Sequence, residues 1–293
     1  MLSAARAALV ELGMLAPTDL LPPFWARMSG NLTLTVYPDE RPFFLVKIGI
    51  LTRLDREFRG LSAGYAAMPR HVPRPLGFAI RDAHEVLVTE GVSHRPLVPS
   101  RWREWQAIFE RDMGAFLTAG AQHFRAAPSD SALDVYAVLG ETADAIGWSG
   151  WQSYWGGVET LVARLPRIAQ HGDLAVNNIG IANDGLIFFD WEDFGLVDLA
   201  GFDLAIALLS LHNFDVAQLC GRLTVPTSEA TLVELGGQHL EVSADRFLDL
   251  VPCYLSLFIK VKRSGGYDTM VQERAAAALR DWIRSGRAPG RAG

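Results

Sequence analysis

Two cysteines in 293 residues, Cys220 and Cys253, are too few for a disulfide framework and lack the paired spacing of a zinc site. A reducing compartment such as the cytoplasm suits such a chain. The seven histidines show no ligand spacing either. No apolar run approaches the roughly 20 residues that a membrane-spanning helix needs, so no membrane partner is expected. The opening stretch carries Arg6 and Glu11 among its apolar residues and predicts an ordinary soluble helix. Internal repeats and low-complexity tracts are absent. An excess of basic charge is lacking too: 27 Lys+Arg face 33 Asp+Glu, a net charge of -6, which argues against a general nucleic-acid binder. What is present is a hydrophobic share of 49% with 20% charged residues, enough to bury a core as one large domain or two lobes and to exclude wholesale disorder.

Charge is unevenly placed. Residues 1–95 hold 11 of the Lys+Arg and 9 of the Asp+Glu, a balance of +2, which leaves -8 for the remainder. The same two parts differ in pattern. Residues 24–49 read as short strands broken by turns at Ser29, Gly30 and Asn31 and at 38–41, with 42–48 a strand ending near Lys47. Leu51, Leu54, Phe58, Leu61 and Tyr65 recur at helical spacing, and two apolar runs, 75–80 and 86–89, predict an antiparallel hairpin. Residues 91–100 turn polar and gain Pro96 and Pro99, as a linker does. Beyond them the pattern is helical at 102–123, 131–146, 158–164, 203–211 and from 245 on, interrupted by a strand pair at 179–182 and 186–190 across the turn 183–185. The expected boundary therefore separates residues 1–90 from 91–293.

The stretch His171-Gly172-Asp173-Leu174-Ala175-Val176-Asn177-Asn178, followed by Phe189-Asp190-Trp191-Glu192, concentrates polar groups beside short apolar strands. A hairpin between Asn178 and Asp190 would return the two side by side, a hard-oxygen cation site with the Asp173 carboxylate nearby; magnesium favours such a site when phosphate supplies further ligands. Each residue alone also fits a capping or strand-ending role.

This order and spacing resemble the catalytic loop of protein kinases, H-R-D-L-x-x-x-N, with Gly172 in place of the arginine. The H-G-D variant, with Phe189-Asp190-Trp191-Glu192-Asp193 and the run Val197-Asp198-Leu199-Ala200-Gly201-Phe202-Asp203-Leu204-Ala205 downstream, is similar to the aminoglycoside phosphotransferase and choline kinase family. The resemblance implies an α+β, bilobal protein-kinase-like fold, with a small antiparallel-sheet N-lobe for nucleotide (1–90) and a larger, mostly helical C-lobe (91–293). It implies ATP (or GTP) and Mg²⁺ as cofactors, with Asp173 orienting or deprotonating an acceptor hydroxyl and Asn178 and Asp190 holding the metal. Lys47 would reach the phosphates and Glu57 would pair with it, Asp55 being the rival carboxylate. Ser29, Gly30 and Asn31 would form the turn over the phosphates, and Glu90 and Val92 would offer hinge backbone to the adenine edge. Asp203 and His171 would support the loop.

Two departures stand out. Where many members read H-G-D-L-H-P-x-N, this chain has Ala175 and Val176, and a D-P-A run becomes Asp198-Leu199-Ala200. The expected activity is phosphoryl transfer to the hydroxyl of a small molecule. The acidic second lobe favours a cationic acceptor such as an amino sugar, with choline, homoserine or a sugar as alternatives; Trp148, Trp151, Tyr154 and Trp155 suit either a sugar face or a helical core. A nucleotide-binding pseudokinase scaffold and a metal-dependent hydrolase are the competing classes.

Overall fold

Alternation along three strands builds the first half of the structure. In the computed structural model, which describes residues 1–29, 31–37, 44–50, 54–124, 133–183, 185–223 and 228–285, β1 (Phe24–Ser29), β2 (Asn31–Val36), β3 (Phe44–Ile50), β4 (Pro75–Arg81) and β5 (His84–Glu90) form an antiparallel sheet in the order β1-β2-β3-β5-β4. The register sets Leu34 beside Val46 and Val46 beside Val88, with Ile48 against Val86. These even-numbered positions share one face with Val36 and Phe44, and α1 (Leu2–Glu11) covers it with Ala4, Ala5, Ala8 and Leu9. Lys47, being odd, faces the other way, where α2 (Leu54–Ala67) packs on β4 and β5.

The buried stripe of α2 is Leu54, Glu57, Gly60, Leu61 and Gly64. It differs from the expected one: Phe58 and Tyr65 are only half-buried, and two glycines take the inward positions. The cause is close packing. A Cβ on Gly64 would lie 2.7 Å from the Trp191 ring, and one on Gly60 would lie 2.7 Å from the Phe194 Cβ. A second small sheet, β6 (Arg95–Pro96), β7 (Ile179–Ala182) and β8 (Gly185–Phe188), is tied to the first third by the Phe188 N–H, which donates to the His71 carbonyl at 2.8 Å. One compact unit thus comprises Met1–Pro96 with Asn178–Phe194, and the other Leu97–Asn177 with Gly195–Gly293.

The second unit is helical. It contains α3 (Trp102–His123), α4 (Val135–Ala145), α5 (Trp151–Arg164), α6 (Phe202–Leu211), α7 (Val216–Leu223), α8 (Ser228–His239), α9 (Ala244–Ser264) and α10 (Met270–Arg284). Capping residues mark where helices begin: the Asp134 carboxylate accepts from Tyr136 N and Ala137 N at the start of α4, and the Ser243 hydroxyl from Arg246 N at the start of α9. Helix α9 is the hub, packed by α4, α6, α8 and α10. The sequence pattern assigns no element to the region of α7 and α8. Helix α8 carries Gly236 and Gly237, which weaken its helical signal but let Phe247 and the backbone at Val242 approach. The expected turn at 38–41, the helix position Leu51, the helix start at Ser131, Asp184 and the tail 286–293 lie outside the described residues.

Candidate active site

Strand parity and helix spacing bring three charged side chains of the first unit together. Lys47 Nζ, from β3, lies 2.6 Å from Glu57 Oε1 on α2 and 2.7 Å from Asp190 Oδ1 beyond β8. Asp55, the rival carboxylate, is exposed and pairs with Arg59 instead. Asp190 sits in the left-handed region, at φ 62 and ψ 62, which costs a non-glycine residue of order 1 kcal/mol or more and recurs at functional sites. The turn it makes brings Glu192 back, so that carboxylate oxygens of Glu57, Asp190 and Glu192 all lie within 4.8 Å of one another.

Burial controls the charge state of this cluster. It lowers the Lys47 ammonium pKa, but Glu57 and Asp190 more than reverse that, so the ammonium stays protonated well above the ordinary lysine range. Glu57 is 2% exposed, and desolvation pushes its carboxyl up to about 7. Lys47 opposes that shift, while Asp190 and Glu192 reinforce it. The buried Glu57 Oε2 has no hydrogen-bond partner among the described residues. An orphaned carboxylate oxygen with two further carboxylates beside it is a hard-oxygen donor set, and these residues fit a divalent cation such as Mg²⁺.

Asn178 ends a 3-10 turn leading into β7 and is buried; its carbonyl accepts from Phe189 N at 2.9 Å, one residue before Asp190. Asn31 opens β2 opposite Ser29, and its buried Oδ1 lacks a partner among the described residues. Gly30 lies outside those residues. Glu90 ends β5, its N–H donating to the Arg74 carbonyl, and the Val92 carbonyl lies 3.2 Å from His94 Nδ1.

In the second unit, α6 organises the loop that carries Asp173. Asp203, 1% exposed, accepts from His171 N at 2.7 Å and Gly172 N at 3.0 Å. His171 Nδ1 in turn accepts from Asp173 N at 3.3 Å, and Ser210 Oγ from Val176 N at 3.0 Å. Burial pushes the Asp203 carboxyl up to about 7, with the two backbone donors pulling it back. Gly172, at φ 90, supplies the left-handed turn between the two held peptides. Asp173 Oδ2 forms an ion pair at 2.9 Å with Lys262 of α9.

No protein-family model matches the sequence. No match to it exists among curated proteins at a significant level. Solved structures do match. A choline/ethanolamine kinase family protein from Mesorhizobium loti aligns over 100% of this chain and 96% of its own, with 18% identity and a TM-score of 0.59. The chain has a kinase-like fold. The choline kinase LicA from Streptococcus pneumoniae, at 15% identity, covers 94% of this chain and 99% of its own with a TM-score of 0.56. A thermostable mutant of aminoglycoside phosphotransferase APH(4)-Ia, in a ternary complex with AMP-PNP and hygromycin B, aligns over 98% of this chain and 99% of its own at 11% identity and TM-score 0.57.

Within this kinase-like fold the sequence pattern overlooks two residues. Glu192 stands there within the Phe189-Asp190-Trp191-Glu192 segment but receives no ligand role, because the left-handed turn at Asp190 that redirects it has no sequence signature. Lys262 lies on a helix far downstream of Asp173 and shows in sequence only as one of several basic residues near a helix end. Of the aromatic group, Trp148 is buried and lies tilted at 5.1 Å from Tyr154, whose hydroxyl donates to the Asp249 carbonyl, while the half-buried Trp151 and Trp155 contact the exposed Tyr136.

Proposed function

We propose that this chain is a small-molecule kinase, moving the γ-phosphoryl group of ATP (or GTP) to an alcohol group of its acceptor with Mg²⁺ as cofactor. The observation that carries the reading is the Lys47–Glu57–Asp190 ion triad, which joins residues of β3, α2 and the turn after β8 in a chain with the fold of phosphotransferases. Nucleotide use is supported by the neighbour that binds AMP-PNP.

Lys47, held by Glu57, would neutralise the phosphate tail. Asp190, with Glu57 and Glu192 at hand, would hold Mg²⁺ together with Asn178, and the ion would supply charge neutralisation on the phosphates when bound. Asp173 would take the acceptor hydroxyl proton as the oxygen bonds to phosphorus and the bond to the departing nucleoside diphosphate breaks. Asp203 and Ser210 would hold the loop so that the Asp173 carboxylate keeps one orientation, since positioning and electrostatics do most of the work in phosphoryl transfer. The acceptors to consider are amino sugars, choline, homoserine and sugars.

The test is ADP release in the presence of Mg²⁺ against a panel of such hydroxyl compounds. Release that rises only on adding an acceptor supports the proposal. Nucleotide binding without turnover would point to a scaffold, and phosphate ester cleavage without nucleotide to a hydrolase; either result overturns it.

A further inference from the structure

Lys262 occupies a place built for a cation. Its Nζ lies 2.9 Å from the Asp173 carboxylate, 5.4 Å from the Phe258 ring centroid and 5.2 Å from that of Tyr267. A carboxylate and two aromatic faces are the groups that recognise an ammonium ion, and here the ammonium belongs to the chain itself. The arrangement is constructed by α9 and its end. Phe258 precedes Lys262 by four residues, one turn along the same face, and stacks at 5.7 Å on Phe214. The helix then breaks at Gly265 and Gly266, where φ +81 at Gly266 turns the chain back and Tyr267 N donates to the Lys262 carbonyl at 3.0 Å. A Cβ on Gly265 would come within 2.9 Å of the Tyr267 ring, so glycine is what lets that ring fold against the helix. Lys262 and Asp173 are 12% and 13% exposed, so their pairing is largely shielded from water.

We propose that Lys262 sets the acceptor class: it fills the cation place beside Asp173 and selects a hydroxyl compound with no positive charge next to the reacting hydroxyl, a neutral polyol or sugar or one bearing an acidic group. This rests on the kinase reading, in which the hydroxyl reaches Asp173. An acceptor carrying its own ammonium there would meet a like charge, and the carboxylate and rings that could have offset it are already engaged. The acidic balance of the second lobe acts at long range and is screened by salt, whereas Lys262 acts at contact distance.

The experiment compares matched acceptors that differ only in charge: choline with its uncharged tert-butyl isostere, and glucosamine with glucose. In the wild type the uncharged member of each pair is expected to have the higher kcat/KM by roughly tenfold or more. Lys262→Met narrows or reverses that preference and Lys262→Arg keeps it; Lys262→Gln serves if the methionine variant fails to fold. A binding readout independent of turnover is calorimetric titration with tetramethylammonium chloride, which should bind Lys262→Met and not the wild type. Equal use of the cationic acceptors by the wild type, or an unchanged ratio in Lys262→Met, overturns the proposal and leaves the kinase reading standing. If no acceptor of any charge stimulates ADP release, the kinase reading fails, and the titration still decides the site: binding of tetramethylammonium to the wild type, or none to Lys262→Met, refutes it.

Discussion

Replacing Asp203 with asparagine sets two physical terms against each other at the support of the catalytic loop. The wild-type carboxylate accepts from His171 N and Gly172 N. An amide keeps one acceptor oxygen and presents a donor to the other N–H, leaving a buried donor unmet at a cost of about 1–3 kcal/mol. The second term is pH-linked. The native carboxyl titrates at about 7 against an ordinary 3.8. A folded-state pKa raised above the unfolded one gives stability that is complete below 3.8 and is lost as pH rises through 7. Between pH 5 and 8 the wild type should lose about 3 kcal/mol through this group, at about 1.4 kcal/mol per pKa unit, whereas asparagine does not titrate. Urea unfolding of both proteins across that range reads the difference directly. The wild type should lead at pH 5, and its lead should shrink or reverse by pH 8. A lead that stays constant or grows with pH would show that the two backbone donors outweigh burial, and would refute the charge state assigned to Asp203.

Other substitutions test separate parts of the structure. Asp173→Asn should fold and bind nucleotide normally but lose turnover by roughly 10²–10⁴-fold, the range for a positioned acid–base group; steady-state kinetics with unchanged kcat would remove Asp173 from that role. Asp190→Ala should weaken binding of Mg²⁺-nucleotide while affecting metal-free nucleotide less, as read by calorimetry with and without Mg²⁺; equal losses in the two conditions would contradict a metal-holding role. Gly64→Ala places a methyl group 2.7 Å from the Trp191 ring and should destabilise the first unit by about 1–3 kcal/mol; an unchanged urea midpoint would mean that α2 is not closely packed on that turn.

Much of the fold can be read in the chain because its determinants are local. The apolar runs of β3 and β5 announce strands, and alternation along β3 then sets Lys47 on the face opposite Val46 and Ile48. Helical spacing puts Glu57 and Asp55 at the two edges of the apolar stripe of α2, and the family resemblance chooses Glu57, which is the buried one. What escapes is set by packing between distant segments. Gly60 and Gly64 belong to the buried stripe because Trp191 and Phe194 need the room, and neither glycine scores as apolar core in a periodicity count. Gly150 reads as a helix breaker, yet at φ +84 it begins α5, which then runs through Gly156 and Gly157. Glu192 joins the carboxylate cluster through the backbone turn at Asp190, and Lys262 meets Asp173 through the placement of α9; no spacing rule links either pair.

In the proposed reaction a phosphoryl group passes from nucleotide to an acceptor oxygen under the direction of Asp173. Phosphorus NMR of the protein incubated with ATP, Mg²⁺ and an acceptor should show a new phosphomonoester resonance growing in step with ADP, and Asp173→Asn should all but abolish both. Inorganic phosphate as the sole product, or equal ester formation by Asp173→Asn, would contradict the account.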